Sequence, residues 1–363
     1  MSAHNLQNFM PRSNQGFSLV EIMVGMVIAL ISTLIVMQVF ATFEGQKRTT
    51  TGGADAQTNG SLALFTIERD LRMAGYGFNI TNALGCRVNR AFNGASLTPL
   101  TLAPVLISHA ANGDIITITA SNKTGWSIPA TITTDHPPTA TNFFLKSTLG
   151  MTAGDLVIAF EPGKDCTLLE ITGIPSGSPP QIHHQSTSPW NPPGGQNIFP
   201  KPDGYRAGAM LINLGAIANR TYQLNPDLNL VFSEYNSATN LSTDQLIAPD
   251  IVNLQAQYGF DTRTGTQTDA QINTWADAMV DADGSGISGN SGDFARIYAV
   301  RFAVLARNGT KEKPLADGSC NITPAAPTWS GGSFSMTQLA DWQCYRYKVF
   351  ETVVPLRNLI WKQ

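Results

Sequence analysis

The sequence predicts an α+β protein: a long N-terminal helix, hydrophobic at first and then amphipathic, packed on an antiparallel β-rich head. Three observations predict it. From Phe17 to Phe43 the run FSLVEIMVGMVIALISTLIVMQVFATF carries a single charge, Glu21. Leu64, Ile67, Leu71 and Ala74 then recur at helical spacing, with Leu62 and Phe65 widening the stripe. Beyond residue 76, short apolar runs stand between turn clusters, which is the pattern of strands.

Residues 1–16, MSAHNLQNFMPRSNQG, are polar and carry one side-chain charge, Arg12. The charge-free stretch Ile22–Phe43 then makes about 33 Å of helix at ~1.5 Å per residue, enough to cross a hydrocarbon core of ~30 Å. Its many β-branched residues do not argue against helix, because a bilayer forces every backbone group to be satisfied within the segment. Residues 17–43 are therefore expected to form a transmembrane helix. Residues 44–76 continue it, first polar and interrupted by Gly52-Gly53, then amphipathic, with Gly75 and Gly77 ending it.

The expected head spans residues 77–363. Candidate strands are 105–107, 115–120, 156–160, 168–171, 209–214, 221–224, 228–235, 251–260, 295–306 and 345–355. Both faces of ARIYAVRFAVLA are largely apolar, which predicts a central strand. Residues 176–202, SGSPPQIHHQSTSPWNPPGGQNIFPKP, are too rich in Pro and Gly for regular structure and read as a long mobile surface loop carrying Trp190 and Phe199.

Composition narrows the class. Only 13% of residues are charged, and 32 glycines and 21 prolines make turns frequent. This suits an exported β-rich chain better than a cytosolic helical enzyme. The net charge is −3 and no Lys/Arg run occurs, so no nucleic-acid partner is expected. Cys86, Cys166, Cys320 and Cys344 form no CxxC pair, which argues against zinc. Four scattered cysteines in an exported chain suggest two disulfides. Of the three possible pairings, Cys86–Cys166 with Cys320–Cys344 closes the shorter loops.

The N-terminal arrangement G-F-S-L-V-E places its small residue before the apolar run, where an ordinary secretory signal places it after. It resembles the class III leader of type IV prepilins. That resemblance implies cleavage by prepilin peptidase after Gly16, N-methylation of the new terminus Phe17, and an assembly role for Glu21, paired with a neighbouring subunit's N-terminal amine. The leader is longer than usual for major pilins of the type IVa class. ERDLRMAGYGF (68–78), IVNLQAQYGFDT (251–262), ARIYAVRFAVLARN (295–308) and YKVFETVVPLRN (347–358) are similar to segments of PilW-type minor pilins. Residues 90–245 carry no such signature.

The resemblance implies a non-catalytic minor pilin held in the inner membrane with a periplasmic head. Its partners would be other minor pilins, the major pilin and a large tip adhesin, in a complex that primes pilus assembly. A J-type minor pseudopilin of type II secretion, or a pilus-displayed adhesion or DNA-binding module, is the alternative.

One constellation suggests metal. In DADGSGISGNSGD, Asp281, Asp283 and Ser285 fall at positions 1, 3 and 5 of a calcium loop, with Gly286 at the turn position. Gly292 stands where the closing acid belongs, and Asp293 follows one residue late. Calcium is the only cofactor the sequence suggests. No Walker A, GxSxG or HExxH motif occurs, and His183-His184 has no acid near it in sequence.

Overall fold

The computed structural model describes residues 16–363 except 78–79, 111, 124–127, 196–197, 266–269, 316 and 361–363. The expected leader, but for Gly16, lies outside the described residues. Met1–Gly52 and Gly53–Gln363 form two compact units.

Helix α1 runs Leu19–Leu71 without interruption at Gly52-Gly53. In the first unit its large apolar side chains are exposed on every side, from Leu19 at 75% to Phe43 at 64%. A helix apolar all round and buried against no protein suits lipid. The Thr33 and Thr42 hydroxyls donate to the carbonyls of Ala29 and Gln38 at 2.7 and 3.0 Å, so these polar groups are satisfied within the helix itself.

The second unit contains the rest of α1 and three larger sheets. Their strands are β1 (Arg87–Asn89), β2 (Leu100–Thr101), β3 (Val105–Ala110), β4 (Gly113–Ser121), β5 (Ala130–Thr131), β6 (Leu156–Phe160), β7 (Cys166–Glu170), β8 (Met210–Gly215), β9 (Ile217–Leu224), β10 (Leu230–Asn236), β11 (Leu241–Ala248), β12 (Ile251–Phe260), β13 (Thr274–Ala276), β14 (Ile297–Arg307) and β15 (Tyr347–Pro355). The six-stranded sheet has order β2-β1-β7-β6-β8-β5, antiparallel except where β1 meets β7. The five-stranded sheet, β11-β10-β9-β4-β3, and the four-stranded sheet, β13-β12-β14-β15, are antiparallel throughout. β14 lies between β12 and β15 and is buried on both faces, as its apolar pattern predicts.

Ala56, Ala63, Ile67 and Leu71 form the buried stripe of α1, continued by Ala74. Burying Ile67 and Leu71 contributes roughly 1.5–3 kcal/mol each. Leu64, Ile67, Leu71 and Ala74 lie on the inner side as their spacing predicts, but Leu62 and Phe65 do not widen the stripe and point outward, 46% and 63% exposed. The cause is size. At Gly60 a Cβ would lie 2.1 Å from the Phe350 ring of β15, so a glycine lets the sheet approach the helix there, and the side of Gly60 and Ala63 faces inward. Lys348 bonds Gln57 one turn earlier.

Asp70, 8% exposed, fastens the helix end to the five-stranded sheet. It accepts from Arg220 Nη1 at 2.8 Å, Tyr222 Oη at 2.5 Å and Arg69 Nε at 3.0 Å. Burial alone would raise its pKa; the Tyr222 and Arg220 hydrogen bonds outweigh that and hold it low. Gly75, at φ 74°, then turns the chain so that its N–H reaches the Thr119 carbonyl at 2.9 Å.

Residues 176–202 depart most from expectation. Instead of a surface loop, they send Trp190, Ile198, Phe199 and His184 into the head, all 5% exposed or less. The aromatics find specific partners. Trp190 Nε1 donates to the Ser237 carbonyl at 2.9 Å, and its ring meets Phe92 edge-on at 5.0 Å. Asn191 substitutes for a strand, accepting from Glu170 N–H and donating to the Glu170 carbonyl. His184 lies against His136, with Nε2 atoms 2.9 Å apart, while His136 stacks on Phe143 at 3.7 Å and both touch Phe199. One imidazole must donate and the other accept, so the pair cannot be doubly protonated, and burial favours the neutral form of both. Burial lowers the pKa of His136 to about 4, and burial with the neighbouring His136 charge lowers that of His184 to about 3.

Both folded values lie below the ordinary histidine value, so the unfolded chain takes up these protons first as pH falls. The stabilisation is complete above about pH 6.5 and declines by up to ~1.4 kcal/mol per pH unit for each histidine, toward about pH 4 for His136 and about pH 3 for His184. Melting of the detergent-solubilised chain across this range should show the decline. A His136→Phe/His184→Leu chain should lose most of it; an unchanged acid slope in that variant would assign the effect elsewhere.

Candidate functional site

Two places hold the residues singled out by sequence. The first is the start of α1. Gly16, Phe17 and Ser18 precede the helix in non-helical backbone, and Gly16 has nothing within 4 Å of where a Cβ would stand. The Gly16–Phe17 peptide bond is thus accessible. Glu21 sits in the first turn, its N–H bonded to the Ser18 carbonyl at 3.0 Å. The helix N-terminus favours a carboxylate there by about 0.3–1 kcal/mol. Glu21 is exposed, and from Leu19 to Phe43 it is the sole charged side chain. In hydrocarbon such a group is costly unless a cation meets it. Hydrolysis of the Gly16–Phe17 bond would create an amine four residues before Glu21.

The second place is the acidic loop. Carboxylate oxygens of Asp281, Asp283 and Asp293 lie within 4.8 Å of one another. They differ in environment: Asp281 and Asp283 are exposed, while Asp293 is fully buried. Asp293 Oδ1 accepts from the N–H groups of Ala282 and Asp283, at 2.6 and 3.0 Å. Its Oδ2 accepts from those of Gly289 and Asn290, at 2.8 and 3.2 Å. Asp293 is also the third residue of the short helix α2 (Ser291–Phe294) and closes a capping box with Asn290. Asp281 accepts from Ser285 and Gly286 N–H, and Asp283 from Ser285 N–H; the Ser285 hydroxyl first, then this N–H, hold the Asp283 carboxyl below its ordinary range. Ser285 Oγ accepts from Asn290 Nδ2 at 2.6 Å. At Gly292, where a calcium loop has its closing acid, a Cβ would stand 2.0 Å from Asp283 Oδ2, so no side chain fits without rearrangement. The donor set is of the kind that suits calcium, three carboxylates and a hydroxyl. The backbone bonds already made account for the loop's shape.

The cysteines are joined as Cys86–Cys166 and Cys320–Cys344, with Cα separations of 6.0 and 4.9 Å. The first ties the residue before β1 to β7 in the core; the second closes the long segment between β14 and β15. His183 and His184 separate: His183 pairs in a short ladder with Asn142, and His184 enters the buried pair with His136.

Sequence reading missed Asp70, Arg220, Tyr222 and His136. Asp70 and Arg220 could have been flagged as charges within otherwise well-patterned elements, but His136, alone in a polar segment, gives no signal. Asp293→Ala removes one acceptor group from four N–H donors at once. It should destabilise the chain by about 3 kcal/mol or more, in chelator as well as in calcium, with Tm as the readout.

Comparison with known families supports both ends of the chain. Residues 11–37 match the prokaryotic N-terminal methylation motif. Residues 217–358, from β9 through β15 and just beyond, match the family of type IV pilus-assembly protein W. No curated protein matches the chain. The methylation motif covers the start of the chain, the second match covers the strands that clasp α1, and together they support a PilW-type pilin of type IV pilus assembly.

Proposed function

We propose that the chain is a non-catalytic minor pilin that primes and assembles type IV pili within a small minor-pilin complex at the pilus tip. Prepilin peptidase cuts after Gly16, and Phe17 becomes the methylated N-terminus. The apolar part of α1 holds the protein in the inner membrane with the head in the periplasm. Other minor pilins and the major pilin are its partners, and a large adhesin is the expected companion at the tip.

The observation that carries this reading is Glu21. A lone carboxylate in a helix otherwise exposed and apolar on every side calls for a cation inside the membrane, and a processed neighbour's terminal amine supplies one. A preformed cluster of such helices lowers the cost of adding the first bulk subunits, because each newcomer meets an existing surface rather than a single helix.

Two measurements test it. Glu21→Ala should leave membrane insertion intact and reduce recovery with other minor pilins at least about tenfold, the ratio that ~1.4 kcal/mol produces. Unchanged co-purification and unchanged piliation would refute the pairing. Gly16→Val should block cleavage, so that mass spectrometry finds the leader retained on the membrane-inserted chain; normal processing would remove Gly16 from the cleavage site.

A further inference from the structure

The head contains a cavity of about 470 Å³ between the five-stranded and six-stranded sheets, unrelated to α1 and to the acidic loop. Its two walls differ. On the five-stranded sheet, Thr119 stands opposite Asn219, and Tyr235 opposite Ser242. The register Arg220↔Glu234 brings Asn219 beside Tyr235, so a row of hydroxyl and amide groups crosses four strands. The row is internally oriented: Asn219 Nδ2 donates to Thr119 Oγ1 at 2.8 Å, and Tyr235 Oη to Asn240 Oδ1 at 2.9 Å. The facing wall is mainly aliphatic, formed by Leu100, Leu102, Ile158 and Leu214, while Leu106 and Ile217 add apolar surface at the edge of the five-stranded sheet. Thr98 and Ser242 are exposed at the rim and open the space to solvent.

Among the described residues lining the cavity, Arg90 alone is charged, and its Nε already donates to the Thr98 carbonyl at 3.1 Å. No acid is present to hold a cation. A purely apolar ligand would displace water from the donor and acceptor positions the row still has free beyond its internal bonds, and would replace none of them. A ligand with hydroxyls on one side and C–H groups on the other satisfies both walls, because Thr, Ser, Tyr and sugar hydroxyls each donate and accept. The volume is that of a small-molecule site, with room for roughly one or two sugar rings. We propose that this cavity binds a neutral saccharide, with its hydroxyls on the Thr119–Asn219–Tyr235–Ser242 row and its C–H face on the aliphatic wall.

The site does not depend on the assembly reading, since binding is measured on the isolated full-length chain. That chain is held in lauryldimethylamine oxide, a detergent without a sugar headgroup. Saturation-transfer NMR is run with maltose, lactose and N,N′-diacetylchitobiose, and separately with octanoate as an acyl anion. At least one disaccharide should receive saturation. Thr98→Trp, an exposed rim substitution that blocks the mouth, should abolish the transfer with Tm unchanged, and Asn219→Leu should weaken binding about tenfold or more. No transfer to any of the three disaccharides, transfer that survives Thr98→Trp, or binding of octanoate alone would overturn the proposal.

Discussion

Asp70 is the constraint on which the head depends. It lies at the end of a helix that must leave one solvent and enter another, and it is the point where that helix becomes part of a globular core. Burying a carboxylate is costly, and here the cost is offset only because Arg220 and Tyr222 reach it from β9 with the correct geometry. Arg220 is shared in turn with Glu234 of β10, at 2.8 Å, so one carboxylate sets the position of the helix end relative to two strands. On β9, Arg220 and Tyr222 share the face turned to the helix end. The opposite face carries the polar row of the cavity. Placing the helix on one side of this sheet therefore fixes which side chains remain for the other.

The two parts of α1 obey different rules on one continuous backbone. From Leu19 to Phe43 the large side chains other than Glu21 and Gln38 are apolar and exposed, so this segment is stable as helix because backbone groups in hydrocarbon have no alternative. After Gly53 the residues are small or polar on most faces, and packing against the sheets decides the helix. Gly60 shows the difference most directly. By propensity it weakens the helix by about 1 kcal/mol, and it is nonetheless required, because the Phe350 ring occupies the space any side chain would need. A PilW-type pilin thus spends helix propensity for close contact with its own last strand.

Much of this was legible in the sequence. The apolar run, its single acid and the glycine before it were readable because each is a local pattern. So were the long strands, especially 251–260 and 297–307, whose alternation is strong. β11 was missed because its side chains are mostly exposed and polar, and only pairing with β10 makes it a strand. The α1 stripe at Ile67, Leu71 and Ala74 is where its spacing predicts, but it widens toward the small residues Gly60 and Ala63 rather than toward Leu62 and Phe65. The Pro-rich segment was misread for a related reason. Composition reports its irregular backbone correctly but says nothing of where Trp190 and Phe199 find partners. The Asp70 network and the His136–His184 pair join residues distant in sequence, which no local pattern encodes.

The closure of β15 on α1 also governs the timing of folding. Gln57 and Lys348 are 291 residues apart, and Asn358 Nδ2 bonds the Ala74 carbonyl across 284. With the head exported as proposed, the helix enters the membrane at the beginning of synthesis, yet its partner strand is the last to arrive. Until then the Gly60 side of the helix has no ring against it and the four-stranded sheet lacks an edge. A chain that stops short of residue 347 would carry a complete membrane anchor and an open core. The head is thereby closed by contacts between segments 284 to 291 residues apart, so a change in either segment opens the same core.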